Sequence, residues 1–169
     1  MNAYTYHYES PLGGVTLASD GDALTGLWFD GQKYFPDNLP KECEERRLPV
    51  FARTEEWLNV YFSGKAPDFT PKLRMITTDF RKTVWEILLL IPFGRTMTYG
   101  QIAAIVAERK GIPRMSAQAV GGAVARNAIS LVIPCHRVIG ADGSLTGYAG
   151  GLDRKIKLLA LERGAGTSE

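Results

Sequence analysis

The spacing of apolar residues changes period part-way along this chain, and that change sets what it can fold into. Up to about residue 34, aromatic and β-branched residues come in short runs broken by Ser10-Pro11-Leu12-Gly13-Gly14 and Ser19-Asp20-Gly21-Asp22. Such clusters are turn chemistry, so strands are expected near residues 4–8, 15–19 and 24–29, joined as hairpins. From residue 78 the period is helical. Thr78 can cap a helix carrying Phe80, Val84, Trp85, Leu88 and Ile91, which Pro92 and Gly94 stop. Thr98 can cap a second, from Tyr99 to about residue 107, with Ile102, Ala103 and Val106 inward. A turn through Lys110-Gly111-Ile112-Pro113 leads to a third at roughly 115–126, and two short helices about such a turn fit a helix-turn-helix. A last helix is expected over about 152–163, ending at Gly164.

Between these regions, residues 35–49 carry Pro36, Pro40 and mixed charges and read as a surface loop. Trp57, Leu58, Tyr61 and Phe62 lie at helical spacing within 55–62, with Gly64 as the stop; Pro67 and Pro71 punctuate a linker. The chain therefore divides into residues 1–76, an α/β domain with a small antiparallel sheet, and 77–169, mainly helical. Asp142-Gly143 signals a turn before 145–148, and a hairpin after the helices makes the second domain winged-helix-like.

Composition bounds the setting. The 169 residues contain two cysteines, Cys43 and Cys135, too far apart in sequence for a disulfide framework, which suits a reducing cytoplasm. With only two histidines and no close spacing, neither a metal site nor a bound cofactor is expected. The opening Tyr4, Tyr6, His7, Tyr8 and Glu9 do not read as a secretion signal, and no apolar run is long enough for a bilayer. A net charge of +2 permits nucleic-acid binding without implying it. A monomer is the expected state.

The third helix reads Ala117-Gln118-Ala119-Val120-Gly121-Gly122-Ala123-Val124-Ala125. Each interior glycine costs about 1 kcal/mol against alanine, so Gly121-Gly122 needs a reason. Close approach to a neighbouring helix is one; close approach to a nucleic-acid backbone or narrow groove is the other. Small side chains read few base edges, so a DNA-binding role would be driven by shape and tolerant of sequence.

The chemistry concentrates in Pro134-Cys135-His136-Arg137, which follows the apolar run Leu131-Val132-Ile133. That run reads as a short buried strand which Pro134 ends, leaving Cys135 partly exposed at the mouth of the core. A thiol attacks as its thiolate, and an imidazole is among the few groups that take its proton near neutral pH. Neighbouring side chains of an extended chain point to opposite faces, so a bridging water would link Cys135 to His136. A buried cysteine beside a surface histidine is the plain alternative. A cysteine hydrolase is another, although the only other histidine, His7, lies far off near the amino terminus.

Arg126-Asn127, then Pro134-Cys135-His136-Arg137-Val138-Ile139-Gly140, then Gly147-Tyr148-Ala149-Gly150-Gly151 resemble the O6-alkylguanine-DNA alkyltransferase family, closely over roughly residues 79–164. The resemblance implies DNA repair by irreversible, single-turnover transfer of an alkyl group from O6-alkylguanine, or O4-alkylthymine, to Cys135 after the base is flipped out of the duplex. It implies His136 as base and Glu162 as the carboxylate orienting it; on sequence Glu162 sits in the last turn of its helix, opposed by the helix dipole. It implies Asn127 as the tie of the turn before the active-site segment. Tyr99 would help rotate the nucleotide and donate to the leaving base, Tyr148 would stack on it, and Ala149-Gly150-Gly151 would leave room for the alkyl group. The backbone of Cys135 and Val138 would bond the base edge, and Gly121 and Gly122 would lie along the DNA. Arg114 and Arg126 would contact phosphate. The implied partner is duplex DNA, gripped in the minor groove with little sequence preference.

Two positions depart from the family pattern. Its usual helix arginine, which fills the gap left by the flipped base, is Gln118 here, and its Asn-Pro is Asn127-Ala128. Glutamine lacks the charge and stacking plane of guanidinium, so flipping is the step the change bears on. Relatives that bind alkylguanine without reacting replace the cysteine, so Cys135 weighs against a purely binding role.

Overall fold

A computed structural model describes residues 3–33 and 42–167, with side chains to residue 164. Three antiparallel strands open the chain: β1 (Tyr4–Ser10), β2 (Gly13–Ser19) and β3 (Leu24–Phe29). The first hairpin turns at Pro11-Leu12, where Ser10 pairs with Gly13, whose φ of 116° favours glycine. A two-residue strand β4 (Glu44–Glu45) joins β1 in parallel, so the sheet is mixed, in the order β3-β2-β1-β4. Val15, Leu17, Leu24, Leu27 and Phe29 are fully buried beneath it.

α1 (Pro49–Phe62) packs on this sheet through Val50, Phe51, Trp57, Leu58 and Tyr61. It begins six residues earlier than its periodicity predicts. Pro49 sits in the first helical turn, where its missing N–H would have had no partner anyway, so the proline starts the helix instead of belonging to a loop. Of the rest of the loop expected at 35–49, residues 35–41 lie outside the described residues, and 42–48 are irregular except where Glu44–Glu45 pair with β1 as β4. The linker after Gly64 runs along the sheet edge, with Leu24 N donating to Lys72 O at 2.7 Å.

α2 (Asp79–Leu88) is capped by Thr78 as expected. β5 (Met97–Thr98) leads into α3 (Tyr99–Lys110), where Thr98 and Gln101 form a reciprocal capping box and Gly111 closes the helix at φ 66°. α4 (Ala117–Ala125) follows, capped by Ser116, and Trp85 of α2 donates to its Ala123 carbonyl at 2.9 Å. α3 and α4 form the predicted helix-turn-helix. β6 (Val138–Ile139) pairs in parallel with β5, and α5 (Leu152–Thr167) ends the described chain. The turn at Asp142-Gly143 is present, but residues 144–148 return as a loop and no hairpin forms. Among the described residues, no helix is long and apolar enough to cross a membrane.

Candidate active site

The segment before Cys135 is a turn, not the expected strand. Asn127 builds it: Oδ1 accepts from Ile129 N at 3.1 Å, and Nδ2 donates to Ile133 O at 2.8 Å. A buried side-chain amide thereby replaces the ladder partners that a strand would need. Leu131 adopts φ 70°, the left-handed region that bulky residues avoid. The turn docks on β3, where Leu27 N donates to Ala128 O and Ser130 N donates to Leu27 O. Cys135 then opens a single 3-10 turn, Cys135–Arg137. It is 6% exposed, a floor residue and not a rim residue. Because the chain is coiled here, the opposite-faces argument does not apply; yet among the described residues no hydrogen bond joins Cys135 to His136, whose Nδ1 has no partner.

Behind the cysteine lies a buried ionic cluster. Glu162 is 3% exposed and His136 fully buried. Oε2 of Glu162 receives His136 Nε2 at 2.6 Å, the Tyr61 hydroxyl at 2.6 Å and Arg137 Nη2 at 3.1 Å. Oε1 accepts from Arg137 Nε at 2.8 Å and Gly94 N at 2.9 Å. Arg137 spends its remaining reach on Ile91 O at 2.7 Å. Glu162 lies more than a turn from the end of α5, so these donors, and not the helix dipole, decide its charge. Burial pushes its carboxyl up, but the hydrogen bonds and charges of His136 and Arg137 prevail and hold it at about 2. An ionised Glu162 takes the proton on Nε2, which leaves the lone pair on Nδ1. Burial lowers the His136 pKa despite the opposing carboxylate, so the ring is neutral near pH 7. Burial also raises the Cys135 thiol, against the pull of Asn127 and the Lys155 charge. The site thus sets a protonated thiol beside a neutral imidazole.

A pocket of about 320 Å³ opens over Cys135, bounded by Tyr99, Gly121, Asn127, Tyr148 and Ala149. Its outer wall, Thr146 to Ala149, is pinned from two directions. Fully buried Lys155 donates to Val138 O at 2.6 Å and Thr146 O at 2.7 Å. Lys33 N donates to Ala149 O at 3.0 Å, while Arg154 bridges Gly150 O and Leu12 O. The Tyr148 hydroxyl is buried, with Ser130 as its polar neighbour. Gly150 does not leave space for a substituent: a Cβ there would stand 2.6 Å from the Tyr148 ring and 3.1 Å from Phe29, so the glycine admits the aromatic wall.

Of the residues expected at the site, Cys135, Asn127, Tyr99, Gly121, Tyr148 and Ala149 meet in the pocket. His136 and Glu162 stand behind it. Val138 is buried away from the lining, its carbonyl taken by Lys155. Arg114, Gln118, Gly122 and Arg126 are exposed. A Cβ on Gly122 would meet nothing within 4 Å, so helix packing does not require that glycine; one on Gly121 would touch only the Tyr99 ring, at 3.8 Å. Sequence reasoning missed Tyr61, the grip of Arg137 on Glu162, Lys155 and Ser130. None left a local sign: even Lys155 acquires its role from carbonyls 9 and 17 residues away.

Both halves of the chain match known families: residues 3–75 the ribonuclease-like domain of 6-O-methylguanine DNA methyltransferase, and 79–164 its DNA-binding domain. The methylated-DNA–protein-cysteine methyltransferase of Mycobacterium leprae is 43% identical over 155 residues, 92% of this chain and 89% of that protein. The Haemophilus influenzae protein of the same name is 39% identical, covering 95% of this chain and 86% of its own. The crystal structure of Mycobacterium tuberculosis OGT in complex with DNA superposes with a TM-score of 0.82 at 40% identity, covering 96% of this chain and 94% of that one. The chain belongs to the 6-O-methylguanine DNA methyltransferase family, and its enzyme class is methylated-DNA–protein-cysteine methyltransferase.

Proposed function

We propose that Cys135 is the alkyl acceptor in a direct, irreversible repair of O6-alkylguanine in DNA. The observation that carries this reading is a buried thiol on the floor of a base-sized pocket, next to a neutral imidazole whose partner carboxylate stays ionised. The thiol proton passes to Nδ1 of His136 by way of a bridging water. The sulfur then attacks the alkyl carbon; the S–C bond forms as the C–O6 bond breaks. Guanine leaves as an anion stabilised by a hydrogen bond from Tyr99 and takes its proton from water on release, while His136 is left protonated against Glu162. Each molecule acts once, because a thioether has no route back. O4-alkylthymine presents the same alkyl–oxygen bond and falls within the same chemistry.

The pocket lies too deep for a base still stacked in a duplex, so the nucleotide must be flipped out at a cost of a few kcal/mol. α4 presents Gln118, Gly122 and Arg126 outward, a low-relief face suited to the minor groove and to phosphates, with Arg114 at its start. The Mycobacterium tuberculosis relative solved with DNA supports DNA as the partner. We read the protein as a cytoplasmic monomer with its DNA-contacting and reacting parts in residues 77–169. The test is the intact mass of the protein after incubation with duplex DNA containing O6-methylguanine. A permanent gain of one methyl group, mapped to Cys135 and absent in Cys135→Ala, is expected. Label at Cys43, or dealkylation by Cys135→Ala, would overturn the assignment.

A further inference from the structure

Tyr61 belongs to the Glu162 cluster but takes no part in the transfer chemistry described above. It comes from α1, 75 residues from His136 and 101 from Glu162. Its ring is fully buried, stacked on Trp57 at 5.3 Å and set edge-on to Phe93 at 5.9 Å and His136 at 6.3 Å. The hydroxyl donates to Oε2 of Glu162 at 2.6 Å and stands 3.3 Å from Nε2 of His136. Packing alone would be served by phenylalanine. A buried hydroxyl aimed at the oxygen that orients the imidazole is a polar choice, and it bears on that oxygen's charge.

We infer that Tyr61 is a positioning residue for the alkyl-transfer reaction: its O–H draws charge from Oε2 of Glu162 and so sets how strongly His136 holds a proton. The inference rests on the reading of His136 and Glu162 as the proton-accepting pair. With the hydroxyl in place, the carboxylate is shared between imidazole, guanidinium and phenol. It then steadies an imidazolium after the thiol gives up its proton, without protonating the ring beforehand. Burial and the charge of Glu162 both raise the Tyr61 pKa, so the phenol remains a donor at every working pH. The consequence is that the helix packed on the N-terminal sheet tunes the base of a site built mainly from the other half of the chain.

Removing the hydroxyl leaves Oε2 with more charge facing Nε2, so the imidazolium becomes easier to form. In full-length Cys135→Ser protein, which uncouples the ring from the thiol, Tyr61→Phe should move the NMR titration of His136 upward. The shift should be about one pH unit, the scale of one charge-assisted hydrogen bond. In the protein with Cys135 intact, the acid limb of the single-turnover methyl-transfer rate should move up by a similar amount. Glu162→Gln should move the titration the other way, and adding Tyr61→Phe to it should change nothing more, because the oxygen that Tyr61 acts through has lost its charge. A folded Tyr61→Phe with an unmoved His136 titration, while Glu162→Gln does move it, would reduce Tyr61 to a packing residue and leave the proton-accepting pair intact. An unmoved titration in Glu162→Gln would overturn the pair and the role of Tyr61 together.

Discussion

Asp20 and Glu162 are both carboxylates gripped by an arginine and both held at about 2, yet their surroundings are opposite. Asp20 sits in the turn between β2 and β3. There, slight burial is outweighed by the amides of Ala23 and Asp22 and by Arg74, and the neighbouring Asp22 pairs with Lys72 in open solvent. Glu162 accepts five hydrogen bonds among the described residues, from three different segments of the chain. Water can replace any partner Asp20 loses. It cannot reach Glu162, so a similar pKa reflects a local convenience in one place and a structural commitment in the other.

The most severe way to probe this contrast is Glu162→Ala, which strands the buried Arg137 guanidinium and His136 together. A loss of about 3–5 kcal/mol in urea unfolding is expected. Lys155→Met comes next, at about 2–3 kcal/mol, because the Val138 and Thr146 carbonyls lose their donor while the alkyl stem is kept; a loss near zero would mean that water enters behind the pocket wall. Acid should separate the two carboxylates. The depressed His136 pKa means that its contribution is whole above its ordinary value of 6.5 and fades as pH falls towards the folded value. Asp20 and Glu162, ordinarily 3.8 and 4.5, contribute above those values and lose their contribution as pH falls to about 2. Urea midpoints across this range should flatten more in Glu162→Gln than in Asp20→Asn, whose charge is screened by solvent. The reverse order would break the comparison.

Exposed positions are expected to alter what the protein touches and to leave its stability alone. Gln118→Arg should speed single-turnover repair of duplex DNA about five- to tenfold, near 1 kcal/mol, by holding the gap left by the extruded base. It should leave reaction with the free alkylated base unchanged. Equal gains on both substrates would assign Gln118 to pocket shape. The smallest effect belongs to Arg74→Ala, for which a melting temperature within about 2 °C of the parent is expected.

How much of this was legible in the sequence follows the range of the interactions. Caps are local, and Thr78 and Thr98 are legible because each acts within a few residues; α3 runs past its expected end near residue 107 to Lys110, where Gly111 closes it. Cys135, His136 and Asn127 were found because a motif holds them at fixed spacing. The strand expected at Leu131-Val132-Ile133 failed because a short apolar run suits a buried turn as well as a strand, and only the Asn127 amide and the αL backbone at Leu131 decide between them. Pro49 misled for a related reason: proline breaks a helix interior but opens a helix end. Tyr61 was read as one apolar position in a helical stripe. Its hydroxyl acquires a purpose only when α1 meets a carboxylate 101 residues away, and no local pattern encodes that meeting.

The pinning of the pocket wall by Lys33 and Arg154 has a consequence for the order in which the protein comes into being. Groups that frame the thiol are spread from residue 33 to residue 162, so the site is high in contact order and can close only after the sheet and the helices have met. Until then Cys135 is an ordinary solvated thiol, and His136 lacks the Glu162 carboxylate that fixes its tautomer. Reactivity of Cys135 towards a free alkylated base is therefore a clock for assembly, rising to its full rate only once the two halves have closed on each other.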